Sequence, residues 1–472
     1  MTKAEPEAPF LRTTQAGYLG VFAIALSVRL LYLYQVGDSI LFETIIGDGR
    51  SFDLWAQQIV AADGKSEALY QAPLYPYFLA LIYKLFGHDL MAVRGVQVVL
   101  GSLSCVFTAA AAGSFFDRRA GLLAGLLLAV YPLSFYFDGI IQKTSLAQFF
   151  AALLLFLLAR VASSDRGTMG QALALGAVLG AWSLLRENAL ALAPLCLLWL
   201  WQQASPGQRL RGGVLFMLGL GLALSPAAYR NYRATGLAFP TTYNFGTNFY
   251  IGNHTGAPGH YVPLRQGRGD AAFERQDAQE LAEQAMGRSL SGAEVSRYWT
   301  ERTLSDISED FPGWLRRLAY KWALVFNADE ISDTDSWRAY ADYSSVLSGL
   351  GAVFHFGVLC PLAVFGMAAT WRKRRRLWIL FAVIVTVAAS VALFFVFGRY
   401  RIPLVPVLVA FAGAGLANTA NLADVSRTSR FQLGACVGCA LAAALWVNWP
   451  LDHIKTDARA VTYNSIGLIL QG

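Results

Sequence analysis

Charge is scarce in this chain: Asp, Glu, Lys and Arg make up 15% of its 472 residues, where a soluble domain carries about 25%. Another 56% of the residues are hydrophobic, and they arrive in blocks near the roughly 20 residues that span a bilayer. These two facts exclude an ordinary soluble enzyme and predict a polytopic membrane protein. Cysteine and histidine are also scarce, five of each. Cys105, Cys196, Cys360, Cys436 and Cys439 all fall inside apolar runs. Cys436 and Cys439 form a C-x-x-C, but no other cysteine or histidine stands near them, so small buried thiols are expected rather than a disulfide framework or a zinc or redox site. The net charge of +7 is not arranged as a basic stripe with interleaved aromatics, which argues against a nucleic-acid partner.

Apolar runs fall near 17–36, 94–115, 120–137, 143–161, 169–185, 188–202, 212–229, 346–370, 377–397, 402–420 and 431–449. An all-α fold of about eleven transmembrane helices follows. The first run is too long for a signal-peptide core and has no small-residue cleavage site after it, so it is expected to stay as a span. Arg118-Arg119, Arg160 with Arg166, Arg209 with Arg211, the Arg372–Arg376 cluster and Arg427 with Arg430 share one side of such a topology, together with Lys3 and Arg12. The positive-inside bias makes that side the cytoplasm, with the N-terminus in it. The 37–93 loop, the 138–143 turn, Arg186-Glu187-Asn188, the 230–345 segment and Gly398–Arg401 are then expected to be external. Three units are expected: an N-terminal membrane module over 1–229, an external mixed helix/loop subdomain over 230–345, and a C-terminal membrane module with a short tail over 346–472. In the subdomain, Ser291 and Glu294 fit a capping box. Pro312 suits the first turn of a second helix, carrying Trp314, Leu315, Leu318 and Trp322 on one stripe.

The charge that is present concentrates in the first external loop, in Asp38, Glu43, Asp48, Asp53, Asp63 and Glu67. Asp48 lies between Gly47 and Gly49, which permit an unusual backbone path, and a carboxylate there can accept the proton of an attacking hydroxyl. Asp53, followed by Leu54-Trp55-Ala56, reads instead as a charge at a helix start. Asp138 sits at the outer end of the third run, where an ionisable residue is a functional candidate. Lys143, Arg186, Arg399 and Arg401 are cations on the side that positive-inside bias disfavours, and a lipid-linked phosphate would explain them. Arg29, inside the first span, is open between a structural partner, snorkelling and a ligand. His254 and Glu330 are further external candidates, and no motif is read as a cation site.

The run Tyr70-Gln71-Ala72-Pro73-Leu74-Tyr75-Pro76-Tyr77 after an acidic first loop resembles the GT-C membrane glycosyltransferases. Phe86-Gly87, Arg94–Gly101, Arg186-Glu187-Asn188, Arg230-Asn231-Tyr232, Gly246–Asn253 and Arg399–Pro406 extend the likeness. The likeness is to the bacterial branch near protein O-mannosyltransferases and the lipid A aminoarabinose transferase, glycosyltransferase family 39. The resemblance implies inverting transfer of a sugar from a polyprenyl-phosphate carrier to an acceptor hydroxyl on a lipid, glycan or protein. It implies Asp48 as catalytic base with Asp138 as a second acid, and Arg399, Arg401 and Arg186 on the carrier phosphate. Tyr75, Tyr77 and Gln71 would help wall the pocket. Gly49 follows Asp48 where the eukaryotic mannosyltransferases have an Asp-Glu doublet, so protein mannosylation is not implied. Because a lipid phosphate is already a good leaving group, no metal is required, although a divalent cation shared by Asp48 and Asp138 stays an option. Two other functions compete: a flippase or transporter of lipid-linked sugars, and an O-antigen ligase or polymerase centred on the 230–345 loop, with His254, Arg265 and Arg268.

Overall fold

The computed structural model describes residues 9–62, 68–163, 168–269, 271–422, 427–451 and 458–471. Lys3, Asp63, Glu67 and Arg166 therefore lie outside it. Among the described residues all regular structure is helical. Among the described residues six helices are long and apolar enough to cross a membrane: Gln15–Val36, Leu90–Phe115, Thr144–Ala162, Pro206–Thr235, Gly398–Thr419 and Arg430–Val447. Two bent pairs, Arg118–Val130 with Pro132–Gly139 (52°) and Ser345–Val353 with Phe356–Ala369 (46°), raise the number to eight if each is one span. The chain is a multi-pass membrane protein.

Every one of the eleven apolar runs is helical, but by length and composition three fall short of a span. Run 169–185 forms the 16-residue helix Thr168–Ser183. Run 188–202 opens with a 3₁₀ stretch, Glu187–Leu192, so that only Ala193–Gln203 is α-helical. Run 377–397 leaves the helix after Ala392, and the side chains that follow turn towards the cavity described below. The bend at Pro132 has a local cause. Tyr131 takes ψ 114°, the extended backbone that a following proline favours.

Inside the membrane module, Arg29 and Asp138 form a fully buried ion pair, with Arg29 Nε donating to Asp138 Oδ2 at 2.7 Å. Arg29 Nη2 donates to Ser134 Oγ at 2.9 Å, and Ser145 Oγ donates to the other oxygen of Asp138. Gly101 packs so closely that a Cβ there would collide with this carboxylate. The network ties the first span to the bent pair and to Thr144–Ala162. It answers the open question at Arg29 with a structural partner.

Between the membrane-type helices stand Phe245–Asn253, Ala271–Met286, Gly292–Glu309 and Phe311–Phe326. Ser291 and Glu294 make the reciprocal capping box, and Asp310 Oδ1 caps the last helix by accepting from Gly313 N at 2.9 Å. A small core of Ala278, Ala282, Leu290, Val295 and Trp299 joins two of these helices. Trp314 is held by Asn253 Oδ1, to which its Nε1 donates at 2.9 Å, while Leu318 and Trp322 pack on the main core and Leu315 stays exposed. Lys321, fully buried, donates to Gly252 O, Asn253 Oδ1 and Phe394 O at 2.8–2.9 Å. A cation there complements the carbonyl ends of two helices and fixes the 393–397 turn. The C-terminal helix Ala458–Gln471 is fastened by Thr462, whose Oγ1 donates to Thr334 O and accepts from Ser336 N, both at 2.9 Å. It thus stands behind the segment that carries Asp333.

Candidate active site

Asp48 is not in a loop. It lies in the first turn of the helix Gly47–Val60, where the helix N-terminus favours a carboxylate. Gly47 makes that start possible: its φ is +55°, and a Cβ would strike Thr334. The Thr334 side chain therefore lies directly against the helix start. Asp53, expected at the helix start, is instead seven residues in and buried. It accepts from Tyr83 Oη at 2.5 Å and meets His88 Nε2 at 2.8 Å.

Asp48 Oδ2 accepts from Arg399 Nη2 at 2.8 Å, and Asp333 Oδ2 contacts the same nitrogen at 2.8 Å. All three residues line a cavity of about 440 Å³, with Lys143, Arg186, Gln71 and Tyr400. Segments that charge bias placed on one face of the membrane, around Asp48, Lys143, Arg186, 241–274, 333 and 399, meet in this one space. Arg186 Nη2 donates to Thr144 Oγ1 at 3.3 Å, and its guanidinium lies 4.7 Å from the Tyr400 ring centroid. Among the described residues, Arg186 Nε and Arg399 Nε and Nη1 are buried with no hydrogen-bond partner. Buried donors without acceptors are costly, and these three belong to two arginines that line the cavity.

The electrostatics separate the two carboxylates. Burial pushes Asp48 up, but Arg399, Lys143 and Arg186 outweigh it and hold this acid below its ordinary pKa. Burial leaves Asp333 raised even beside Arg399. Burial, reinforced by the charge of Arg186, pushes Lys143 down to about 8. A pair of acids driven apart in this way supplies one that is ionised and one that holds its proton more readily.

Six expected site residues lie elsewhere. Asp138 belongs to the Arg29 network and is enclosed on all sides, so it does not meet Asp48. Arg401 is 1% exposed. It donates to Glu330 Oε1 at 2.5 Å and to the carbonyls of Val325 and Asn327, over the Phe356 ring. Arg401 and Glu330 thus pair with each other away from the cavity, and of the Arg401 nitrogens only Nε is left without a partner among the described residues. Tyr75 is buried with Oη donating to Gln97 Oε1 at 2.7 Å, while Tyr77 Oη accepts from Arg230 Nη1 at 3.0 Å on the outside. His254 stacks on Tyr250 and keeps Nδ1 3.0 Å from Tyr250 O. Conversely, sequence reading passed over Asp333, Glu274 and Tyr261, all of which line the cavity. Asp333 had a signal, since Asp333-Thr334-Asp335 is a D-x-D; Glu274 had none. Among the described residues no group of three or more His, Cys, Asp and Glu is placed to hold a metal ion. Asp48 and Asp333 converge on a guanidinium, and Asp138 is too enclosed to share a cation with Asp48.

Residues 70–229 match the family model described as dolichyl-phosphate-mannose-protein mannosyltransferase. The chain is similar to the oligosaccharyltransferase AglB from Archaeoglobus fulgidus in complex with an inhibitory peptide and a dolichol-phosphate. That likeness covers 96% of this chain and 55% of AglB, at 14% identity and a TM-score of 0.52. The apo form of the same enzyme gives 94% and 56% coverage, 13% identity and a TM-score of 0.52. The fold is that of the GT-C glycosyltransferases. ArnT from Cupriavidus metallidurans, in the apo state, is similar over 96% of this chain and 75% of its own, at 15% identity and a TM-score of 0.45. The chain spans little more than half the length of the archaeal oligosaccharyltransferase. No curated protein matches it. Within the GT-C fold the matched family segment brings in Gln71, Lys143 and Arg186, while Asp48 precedes it and Asp333 and Arg399 follow it.

Proposed function

We propose that this GT-C protein is an inverting glycosyltransferase that moves a sugar from a polyprenyl-phosphate carrier to an acceptor hydroxyl at the periplasmic face of a bacterial inner membrane. The observation that carries the reading is the joint presence in one cavity of an ionised carboxylate, Asp48, and three buried guanidinium donors of Arg186 and Arg399 without acceptors. Dolichol-phosphate bound to AglB supports the same class of carrier.

In this mechanism the carrier phosphate takes the free donors of Arg399 and Arg186 and the ammonium of Lys143. Those cations then share their charge with the phosphate, which relieves their hold on Asp48 and makes it a stronger base. The acceptor oxygen attacks the anomeric carbon as Asp48 takes its proton. The carbon–oxygen bond to phosphate breaks on the opposite face, and the arginines stabilise the electron pair left on the phosphate oxygen. Asp333 keeps Arg399 in place through the cycle. The proposed units are 1–229, 230–345 and 346–472, with the middle one covering the membrane-face cavity.

The competing functions find less support. A ligase centred on 230–345 would use His254, Arg265 and Arg268, but His254 stacks on Tyr250, and Arg265 and Arg268 pair with Asp277. A flippase would place accessible charge at the midplane, whereas Arg29 and Asp138 are sealed. Transfer from radiolabelled polyprenyl-phosphate sugars in membranes carrying the protein tests the proposal. Appearance of label in a hydroxyl-linked product supports it, and carrier translocation without transfer refutes it.

A further inference from the structure

Glu274 enters the cavity from the helix Ala271–Met286, which otherwise packs on its own small core. Tyr70 Oη donates to Glu274 Oε1 at 3.0 Å. Tyr261 faces the same cavity, with its buried hydroxyl beside the Glu274 carboxyl. Burial, above all, raises the Glu274 carboxyl from its ordinary pKa, and the charges of Asp48 and Asp333 add to the effect.

A continuous path links this group to the phosphate site. Arg399 Cζ lies 5.3 Å from the Phe397 ring centroid, Phe397 lies 5.9 Å from Tyr261, and Tyr261 in turn lies 5.3 Å from Phe395. A phosphate on Arg399 therefore sets whatever is bonded to it against the aromatic wall of Phe397 and Tyr261. Aromatic faces there suit the C–H face of a pyranose, while a carboxylate and a phenol suit its hydroxyls.

We propose that Glu274 and Tyr261 read the transferred sugar, with Glu274 accepting a hydrogen bond from a sugar hydroxyl or amine, and that they select neutral or amino sugars against acidic ones. A sugar carboxylate would sit among Asp48, Glu274 and Asp333, while Lys143, Arg186 and Arg399 are engaged by the phosphate. Like charges so placed oppose its binding. The proposal rests on the carrier-phosphate reading above and concerns specificity, not the chemical step.

Binding separates the two. Purified wild-type and Glu274→Gln proteins are titrated, without acceptor, with undecaprenyl phosphate and with undecaprenyl-phosphate-linked glucose, glucosamine and glucuronic acid. The wild type is expected to bind the glucose and glucosamine lipids more tightly than the sugar-free lipid, and the glucuronic acid lipid no more tightly. Glu274→Gln should lose about tenfold in affinity for the glucose and glucosamine lipids, keep its affinity for the sugar-free lipid, and narrow the gap to glucuronic acid. Tyr261→Phe should show the same pattern with a smaller loss. Unchanged affinity for the sugar-bearing lipids, an equal loss for the sugar-free lipid, or a wild type that binds glucuronic acid as well as glucose overturns the proposal while leaving carrier binding intact. Failure of the wild type to bind undecaprenyl phosphate overturns both readings.

Discussion

Asp48 and Arg399, 351 residues apart in the chain, are joined side chain to side chain at 2.8 Å. The contact closes the N-terminal and C-terminal membrane-type helices around one cavity. It also sets a competition, because the carrier phosphate and Asp48 want the same guanidinium. Arg399→Ala should weaken undecaprenyl phosphate binding by roughly 10–100-fold, as expected for loss of charge-assisted hydrogen bonds, with the fold retained. Arg401→Ala should do the reverse, lowering the unfolding temperature because Glu330 is left buried without its partner. Lipid titration and thermal unfolding in detergent separate the two, and equal effects of both variants on lipid affinity would return Arg401 to the site.

The Arg29–Asp138 pair is expected to be structural. Removing one partner of a buried pair costs about 3–5 kcal/mol, so Asp138→Asn and Arg29→Met should each destabilise the protein strongly. The double variant Arg29→Met/Asp138→Leu should recover much of the loss and retain sugar transfer. A stable double variant without transfer would give Asp138 a part in the chemistry.

Gly47 is held at a positive φ against Thr334. Gly47→Ala should cost about 1–2 kcal/mol from backbone strain alone, plus displacement of the Asp333 segment. Transfer should fall more than stability, since both Asp48 and Asp333 lose register on Arg399. An Ala variant with unchanged turnover would show that the 333–334 contact does not position the acids.

Lys143 is pushed down to about 8 by burial and by Arg186. Its ammonium is therefore present below pH 8 and lost as pH rises through that value. Affinity for undecaprenyl phosphate should hold below this point and decline above it, and Lys143→Met should be weaker throughout but lack that alkaline decline. A wild-type profile that stays flat through pH 8 would take Lys143 off the phosphate.

The fold class was legible in the sequence because apolar blocks and cation clusters follow the bilayer directly, and the faces they assign meet at the cavity. The number of full spans was less legible. A run such as 377–397 is apolar to its end, and only the capture of Phe394 O by Lys321 shows that its last residues leave the helix. At the site, Asp48, Lys143, Arg186 and Arg399 were readable because cations and acids beside spans need a reason. Arg401 and Glu330 looked equivalent to Arg399 in the chain, and only three-dimensional pairing tells them apart. Asp138 looked like a second acid until its arginine, 109 residues away, was seen. Glu274 sits on a strongly polar helix, and nothing in its local sequence distinguishes it.

Asp48 carries the central claim. Membranes bearing wild-type or Asp48→Asn protein, supplied with a radiolabelled polyprenyl-phosphate sugar and acceptor, measure it directly. With Asp48→Asn as well folded as the wild type and still binding undecaprenyl phosphate, sugar transfer should fall by at least about 100-fold, the scale of positioned base catalysis. Turnover within a few-fold of wild type would contradict the assignment of Asp48 as the base.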